Sequence, residues 1–244
     1  MRNPITRSEE LLLRMAHPVE EDRVVDFFAA NPDPYVKERD PEDEIVPAMT
    51  AGAVFIIEEL DFGQEDRKIV ASSAVYDPYD EDWDAWGASF PFNHWEFGSS
   101  LVVQEYRGLH LHTLLHHCRL CFVSLRHDPK NDKVFCTIAP TNLNSKRSAQ
   151  KVGFRPWACT YPEILKRCFV CPKRKKSLDS GRQCCVDFFE FPDTARYRDA
   201  AVGLRQGDRV LGASQDPIRL YIDLDFLSSP GLRRQLDEIV QQGV

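Results

Sequence analysis

The sequence predicts a mixed α/β fold: a central sheet with helices packed on both of its faces. Three observations carry this. Strand-like segments come in a run, at 53–58, 68–76 and 95–103, before β-α alternation becomes regular. Leu111, Leu114, Leu115, Cys118, Phe122 and Leu125 recur at helical spacing, which makes one apolar face of a long helix. Finally, 43% of the 244 residues are hydrophobic and 11% aromatic, enough for a sizeable core and too much for a disordered chain.

The elements follow in order. Residues 10–16, led by Leu11-Leu12-Leu13, read as a strand. Pro18 and Glu20-Glu21-Asp22 form the first turn of a helix, its acids placed at the positive helix end. Val24, Val25, Phe27 and Phe28 form its apolar face, and it stops near Asn31-Pro32. A second short helix covers 42–51 and ends at Gly52. Two strands follow, at 53–58 and 68–76, joined by the charged loop 61–66. An acidic, Trp-bearing loop at 77–88 precedes the long strand 95–103, where Gly98 marks a bulge. After the amphipathic helix come a buried strand at 133–139, a helix at 140–152 ending at Gly153, and a strand at 185–191. The tail reads as helix (194–205), strand (218–224) and helix (230–240). This divides the chain into a main unit, 1–192, and a C-terminal α/β extension, 193–244. The extension packs either on the same domain or on a dimer partner, and the alternating strand 218–224 suits both.

Composition narrows the function. No apolar run approaches the roughly 18 residues of a membrane span. The first residues lack the apolar stretch of a secretory signal, so a soluble, cytoplasmic protein is expected. Net charge is −7, divided as −15 over residues 1–100 and +8 over the remainder. A basic half in one compact fold gives a positive face suited to phosphates on a small ligand, a carrier protein or a nucleic acid. A pI near 5.5 argues against a dedicated nucleic-acid binder. Eight cysteines without a secretory signal read as reduced thiols.

Two segments carry a resemblance. Residues 96–108, Glu-Phe-Gly-Ser-Ser-Leu-Val-Val-Gln-Glu-Tyr-Arg-Gly, resemble the fourth strand of the GNAT acetyltransferase superfamily and the loop into its cofactor-binding helix. Residues 142–154 resemble the same family's N-x-x-S-x-R-x-x-x-K-x-G-F block at every fixed position: Asn142, Ser145, Arg147, Lys151, Gly153 and Phe154. One amphipathic helix and one buried strand separate them, and the likeness spans about residues 10–160.

The resemblance implies a GNAT-like mixed, mostly antiparallel sheet flanked by helices. It implies an N-acyltransferase that moves acetyl or another acyl group from a coenzyme A thioester to a primary amine. Backbone amides of Arg107, Gly108, Leu109, His110, Leu111 and His112 would hold the pyrophosphate, since a helix N-terminus is a ready anion site. Val102 and Val103 would give main-chain contacts to the pantetheine arm and the acyl carbonyl. Asn142 and Ser145 would reach the arm or a phosphate from the other side. Departing from the family's Q/R-x-x-G-x-G/A pattern, His110 and His112 replace the later glycines. Ala149 stands where many members place a tyrosine that protonates the departing thiolate.

Glu96, and His94 two residues earlier, are the candidate general bases. His110, His112, His116, His117 and His127 cluster. With no acidic residue between His112 and His116, surface or cofactor-facing histidines are expected rather than a metal site. Cys168, Cys171, Cys184 and Cys185 have the count for zinc but not its strong spacing, and are read as structural thiols. Lys173-Arg174-Lys175-Lys176 lies in a basic loop that could meet cofactor phosphates, a carrier protein or RNA. Trp83, Trp86, Phe90, Phe92 and Trp95, interleaved with acids, either border an amine pocket or pack as core. The acceptor is a small-molecule or peptide amine. Two alternatives stand beside acetyl transfer: an acyltransferase taking a long-chain or carrier-protein donor, and a catalytically silent binding protein of GNAT shape.

Overall fold

The computed structural model describes residues 10–32, 41–60, 67–76, 93–124, 132–157, 187–191, 209–211 and 218–224. In chain order these form β1 (Glu10–Met15), a 3-10 turn (Pro18–Glu20), α1 (Glu21–Ala30), α2 (Pro41–Ala51), β2 (Ala53–Glu59), β3 (Ile69–Tyr76) and β4 (Asn93–Val102). A second 3-10 turn (Gln104–Tyr106) leads to α3 (Leu111–Ser124), β5 (Asp132–Ile138) and α4 (Leu143–Val152). Then come β6 (Arg155–Pro156), β7 (Asp187–Glu190), β8 (Arg209–Leu211) and β9 (Ile218–Asp223).

The strands join in one sheet, ordered β6-β7-β5-β4-β3-β2-β1-β9-β8. Among the described residues only the β1–β9 and β4–β5 pairs are parallel, so the fold is mixed α/β around a mostly antiparallel sheet. β2 is buried from Ala53 to Glu58 and β3 from Ile69 to Val75, with no polar face, as befits central strands covered on both sides. On one side α3 presses Leu114, Leu115, Cys118 and Phe122 inward. Phe122 meets Phe55 and Trp95 edge-on, at 5.9 and 6.4 Å between ring centroids. Side chains of this size each contribute about 2 kcal/mol when withdrawn from water. α2 packs on β2 and β3 as well. The tail strand β9 pairs with β1 of the same chain, Leu11 beside Leu220 and Leu13 beside Ile222. It therefore extends the main sheet. The expected helices at 194–205 and 230–240 lie outside the described residues.

An ionic knot ties β1, α1 and β2 together. The Glu58 carboxylate, 1% exposed, accepts from Arg14 at 2.9 Å, Arg23 at 2.9 Å and Arg67 at 3.2 Å. Glu20 pairs with Arg14 at 2.6 Å and Arg23 at 2.8 Å, and also accepts from the His17 amide in a capping box. Arg23 further donates to the Arg67 carbonyl. Burial opposes the charge on Glu58, but Arg14 and Arg23 hold its carboxyl below the usual range. The Arg14 hydrogen bond takes Glu20 down to about 2. Removing one charge from a buried set leaves its partners uncompensated. Glu58→Gln should therefore lower unfolding stability by about 3 kcal/mol in urea titrations; a loss below about 1 kcal/mol would show that solvent screens the knot.

Candidate active site

One extra residue shapes the centre of the sheet. Ser72 faces Leu101 and Ala74 faces Gly98, so two steps on β3 are matched by three on β4. Ser99 takes up the difference in a left-handed conformation, with φ of 41°. The surplus residue is the bulge foreseen at Gly98, and it bends β4. Gly98 has a packing role of its own: a Cβ there would lie 2.6 Å from the Tyr76 ring, whose hydroxyl meets Ser99 Oγ at 2.6 Å.

Beyond that point β4 and β5 part. Their parallel pairing runs from Asn93–Asp132 to Phe97–Cys136 and stops, while β4 continues to Val102. A gap therefore opens between two neighbouring strands, with β4 backbone along one wall. The Val103 amide is not part of that wall, since it donates to the Val70 carbonyl at 3.0 Å. Strand alternation then turns the N–H groups of Val102, and of Ser100 before it, away from β3 and toward the gap. Expected contacts from both valines thus reduce to Val102 for amide donation.

The same strand delivers the chain to α3. Arg107 is exposed, and its Nε donates to the Val102 carbonyl at 3.1 Å, tethering the turn to the strand end. Gly108 has φ of 90°, with open space where a Cβ would be. His110 is left-handed as well, with φ of 61°. The backbone here keeps a glycine-like conformation although the residue is histidine, one of the few types that tolerate it. Leu109 is buried and anchors the turn. The first helical hydrogen bond runs from the Leu114 amide to the His110 carbonyl. Amides from Leu111 to Thr113 have no partner within the helix and project from its N-terminus.

His112 does not crowd that terminus. Its half-buried ring tilts onto His116, centroids 4.8 Å apart. His116 is 3% exposed, and its Nδ1 accepts from Arg119 Nη2 at 2.8 Å, which places the ring proton on Nε2. The expectation of surface or cofactor-facing histidines thus holds for exposed His110 and fails for His116, which is a core residue. Burial, with the Arg119 charge, pushes His112 down to about 3 and His116 well below its ordinary value. Both rings are neutral at neutral pH.

Glu96 sits one pair before the strands part. It is 7% exposed, on the face opposite Trp95 and Phe97, and Oε1 accepts from Thr137 Oγ1 of β5 at 3.0 Å. His94 pairs through its backbone with Lys133, and its side chain lies outside the described residues. Trp95 belongs to the core under α3 rather than to an amine pocket. The rest of its aromatic and acidic cluster, the four late cysteines, the basic loop and His127 also lie outside the described residues.

Across the α3 N-terminus, Asn142 caps α4: its Oδ1 accepts from the Ser145 amide at 3.1 Å. The side-chain oxygen is therefore used within the helix, which leaves the amide nitrogen for outside contacts. Half-buried Ser145 lies in the first turn. Ala149 is buried, on the turn of α4 that follows the Thr113–Ser148 hydroxyl contact with α3.

Three participants were not singled out from sequence: Tyr76, Thr137 and Arg119. The first two are ordinary strand residues without a motif. For Arg119 a signal exists, because His112, His116 and Arg119 recur at i, i+4 and i+7 beside the apolar stripe of α3.

The strand read as the fourth from sequence is the fourth in the chain, it pairs in parallel with the fifth, and it leads into the long helix. This is the order of elements that the resemblance to the GNAT superfamily implies. No family model matches the chain, and no curated protein matches its sequence. Among solved structures it is similar to Arabidopsis thaliana NAA60 in complex with acetyl-CoA (TM-score 0.47, 11% identity, 74% of this chain and 98% of that one). It is also similar to a GNAT-family acetyltransferase from Staphylococcus aureus Mu50 (TM-score 0.47, 10% identity, 74% and 97%). A third is Arabidopsis thaliana Naa50 with the bisubstrate analogue CoA-Ac-MVNAL (TM-score 0.44, 14% identity, 60% and 84%). Among the described residues no helix is long and apolar enough to cross a membrane.

The neutral histidines set a pH dependence. Their folded pKa values lie below the ordinary 6.5, so the unfolded chain takes up protons first as pH falls. Stability is complete above about pH 6.5 and declines on acidification toward about 3. His116→Gln keeps an acceptor for Arg119 and removes one titrating group. Urea midpoints between pH 7 and 5 should fall less steeply in this variant, by about one proton released from the linkage. Parallel curves would show that His116 is already protonated or exposed.

Proposed function

We propose that the protein is an acyl-CoA-dependent N-acyltransferase, with acetyl-CoA the simplest donor and a primary amine, on a small molecule or a peptide, as acceptor. The observation that carries this reading is the gap between β4 and β5 that ends at the amide-bearing turn of α3. A thioester with a long polar arm and a pyrophosphate has the same layout: an extended amide-rich chain for the strand edge, and an anion for the helix N-terminus.

In this reading the pyrophosphate lies against the amides of residues 107–112, with Gly108 leaving room for close approach. The arm lies along Val102, and Asn142 and Ser145 approach from α4. At a rise of about 3.3 Å per residue, Val102 is about 20 Å along the strand from Glu96, and Ser100 about 13 Å. Of the two amides, Ser100 is the better placed to polarise a thioester carbonyl within reach of an amine that Glu96 serves. The amine loses a proton to Glu96 through water, and its nitrogen attacks the carbonyl carbon. The tetrahedral oxyanion is held by the strand amide, the attacking nitrogen gives its second proton to solvent, the C–S bond breaks, and the thiolate is protonated from solvent, since Ala149 has no proton to give. Positioning and oxyanion stabilisation supply most of the acceleration, so no covalent intermediate on the enzyme is needed. His94 is the second candidate base. Residues 1–100, which include Glu96, carry a charge of −15, a field that attracts cationic amines.

Calorimetry with acetyl-CoA at moderate salt tests the donor site. Wild type should bind, and Gly108→Glu, which puts a carboxylate where phosphate belongs, should weaken binding at least about tenfold. Glu96→Gln should keep donor affinity and lose turnover on an amine panel. Failure of the wild type to bind would overturn acetyl transfer. Turnover with acyl-carrier protein alone would then indicate a carrier-linked donor, and no turnover with any donor a binding protein.

A further inference from the structure

Arg119 is a full positive charge in the core. It is 1% exposed, and among the described residues no carboxylate pairs with it. Among the described residues its hydrogen-bond and ring partners are the carbonyls of Ala74 and Gly98, both at 3.3 Å from Nη1, His116 Nδ1 at 2.8 Å from Nη2, and the Phe97 ring, whose centroid lies 4.7 Å from the guanidinium carbon. Nε has no partner. Burial pushes its pKa down to about 10, partly offset by Cys136, Cys118 and Tyr76, so the group stays charged at neutral pH. A cation held this way is costly, and an apolar side chain of the same length would fill the space more cheaply.

The two carbonyls it holds are informative. Ala74 and Gly98 face each other across β3 and β4, at the step where the register shifts. A bulge interrupts the ladder and leaves backbone acceptors in want of donors. One Nη1 serves a carbonyl on each strand, at the pair that borders that interruption, and the Phe97 ring beneath it belongs to the last residue that pairs β4 with β5. Arg119 thus grips both strands at the point where β4 leaves β5. Its other arm reaches His116, and through the ring contact His112, at the N-terminal end of α3.

We propose that Arg119 is a positioning residue that pins the β4 bulge to α3, fixing the gap between β4 and β5 and its alignment with the turn at residues 107–112. For acyl transfer this rests on the reading of the gap as the donor site; for the bulge itself it does not.

Arg119→Met separates positioning from packing, because methionine keeps much of the length and removes the buried charge. Its melting temperature should stay the same or rise. Amide hydrogen exchange followed by mass spectrometry should quicken at least about tenfold in peptides covering 98–102 and stay unchanged in β1 and β2. Acetyl-CoA affinity should fall about tenfold. Arg119→Lys, a single point-charge donor on a flexible stem, should restore part of the protection. It also serves as the test should the methionine variant fail to fold. Unchanged exchange at 98–102, or faster exchange spread evenly over the sheet, would overturn the proposal. If wild type binds no acetyl-CoA, the donor reading fails, and the exchange contrast still decides what Arg119 does.

Discussion

One surplus residue in β4 governs the middle of this molecule. A parallel pair of strands has no reason to separate while both backbones can hydrogen-bond. The bulge at Ser99 supplies one, by rotating the strand and spending a step of register against β3. From there the strand edge is turned toward a gap rather than toward β5. The helix that follows opens with amides that also have no partner inside it. Two sets of backbone donors, one along a strand and one at a helix end, are thereby brought into one line.

Such an opening is unfavourable for stability, and the surroundings show how it is held. Tyr76 crosses the Gly98 backbone and bonds Ser99, Thr137 ties Glu96 to the neighbouring strand, and Arg119 grips the bulge from below. Arg119 buries a charge where an apolar side chain would pack at lower cost. Elsewhere the sheet is conventional. β2 and β3 are buried on both faces, and the ionic knot around Glu58 closes the β1 end of the sheet. Among the described residues the buried polar groups lie mostly around the β4 bulge and at the ionic knot, with Ser148 apart between α3 and α4.

Much of this was legible in the sequence, for identifiable reasons. α3 announces itself because its apolar residues repeat at the helical period, and Gly98 because glycine inside a strand needs an explanation. The two motif segments located the turn and the α4 cap. What escaped depends on contacts distant in sequence. His116 looks like a surface histidine until Arg119 and Phe97 are seen around it, and Arg119 reaches carbonyls 45 and 21 residues away. Sequence also credited Val103 with an amide that β3 already uses. The short strands β6 and β8, of two and three residues, are below the length at which any periodicity can register. Whether β9 served this sheet or a partner's was undecidable from alternation, because pairing with β1 depends on a contact about 200 residues apart in sequence.

The central claim is that the gap and the turn form a single donor site. Hydrogen exchange in the presence and absence of acetyl-CoA tests this most directly, because it reads the backbone amides that the claim concerns. Slower exchange confined to peptides spanning 100–103 and 107–113, with β1 and β2 unaffected, is the predicted result. An unchanged pattern at saturating acetyl-CoA, or protection only outside those segments, would contradict it.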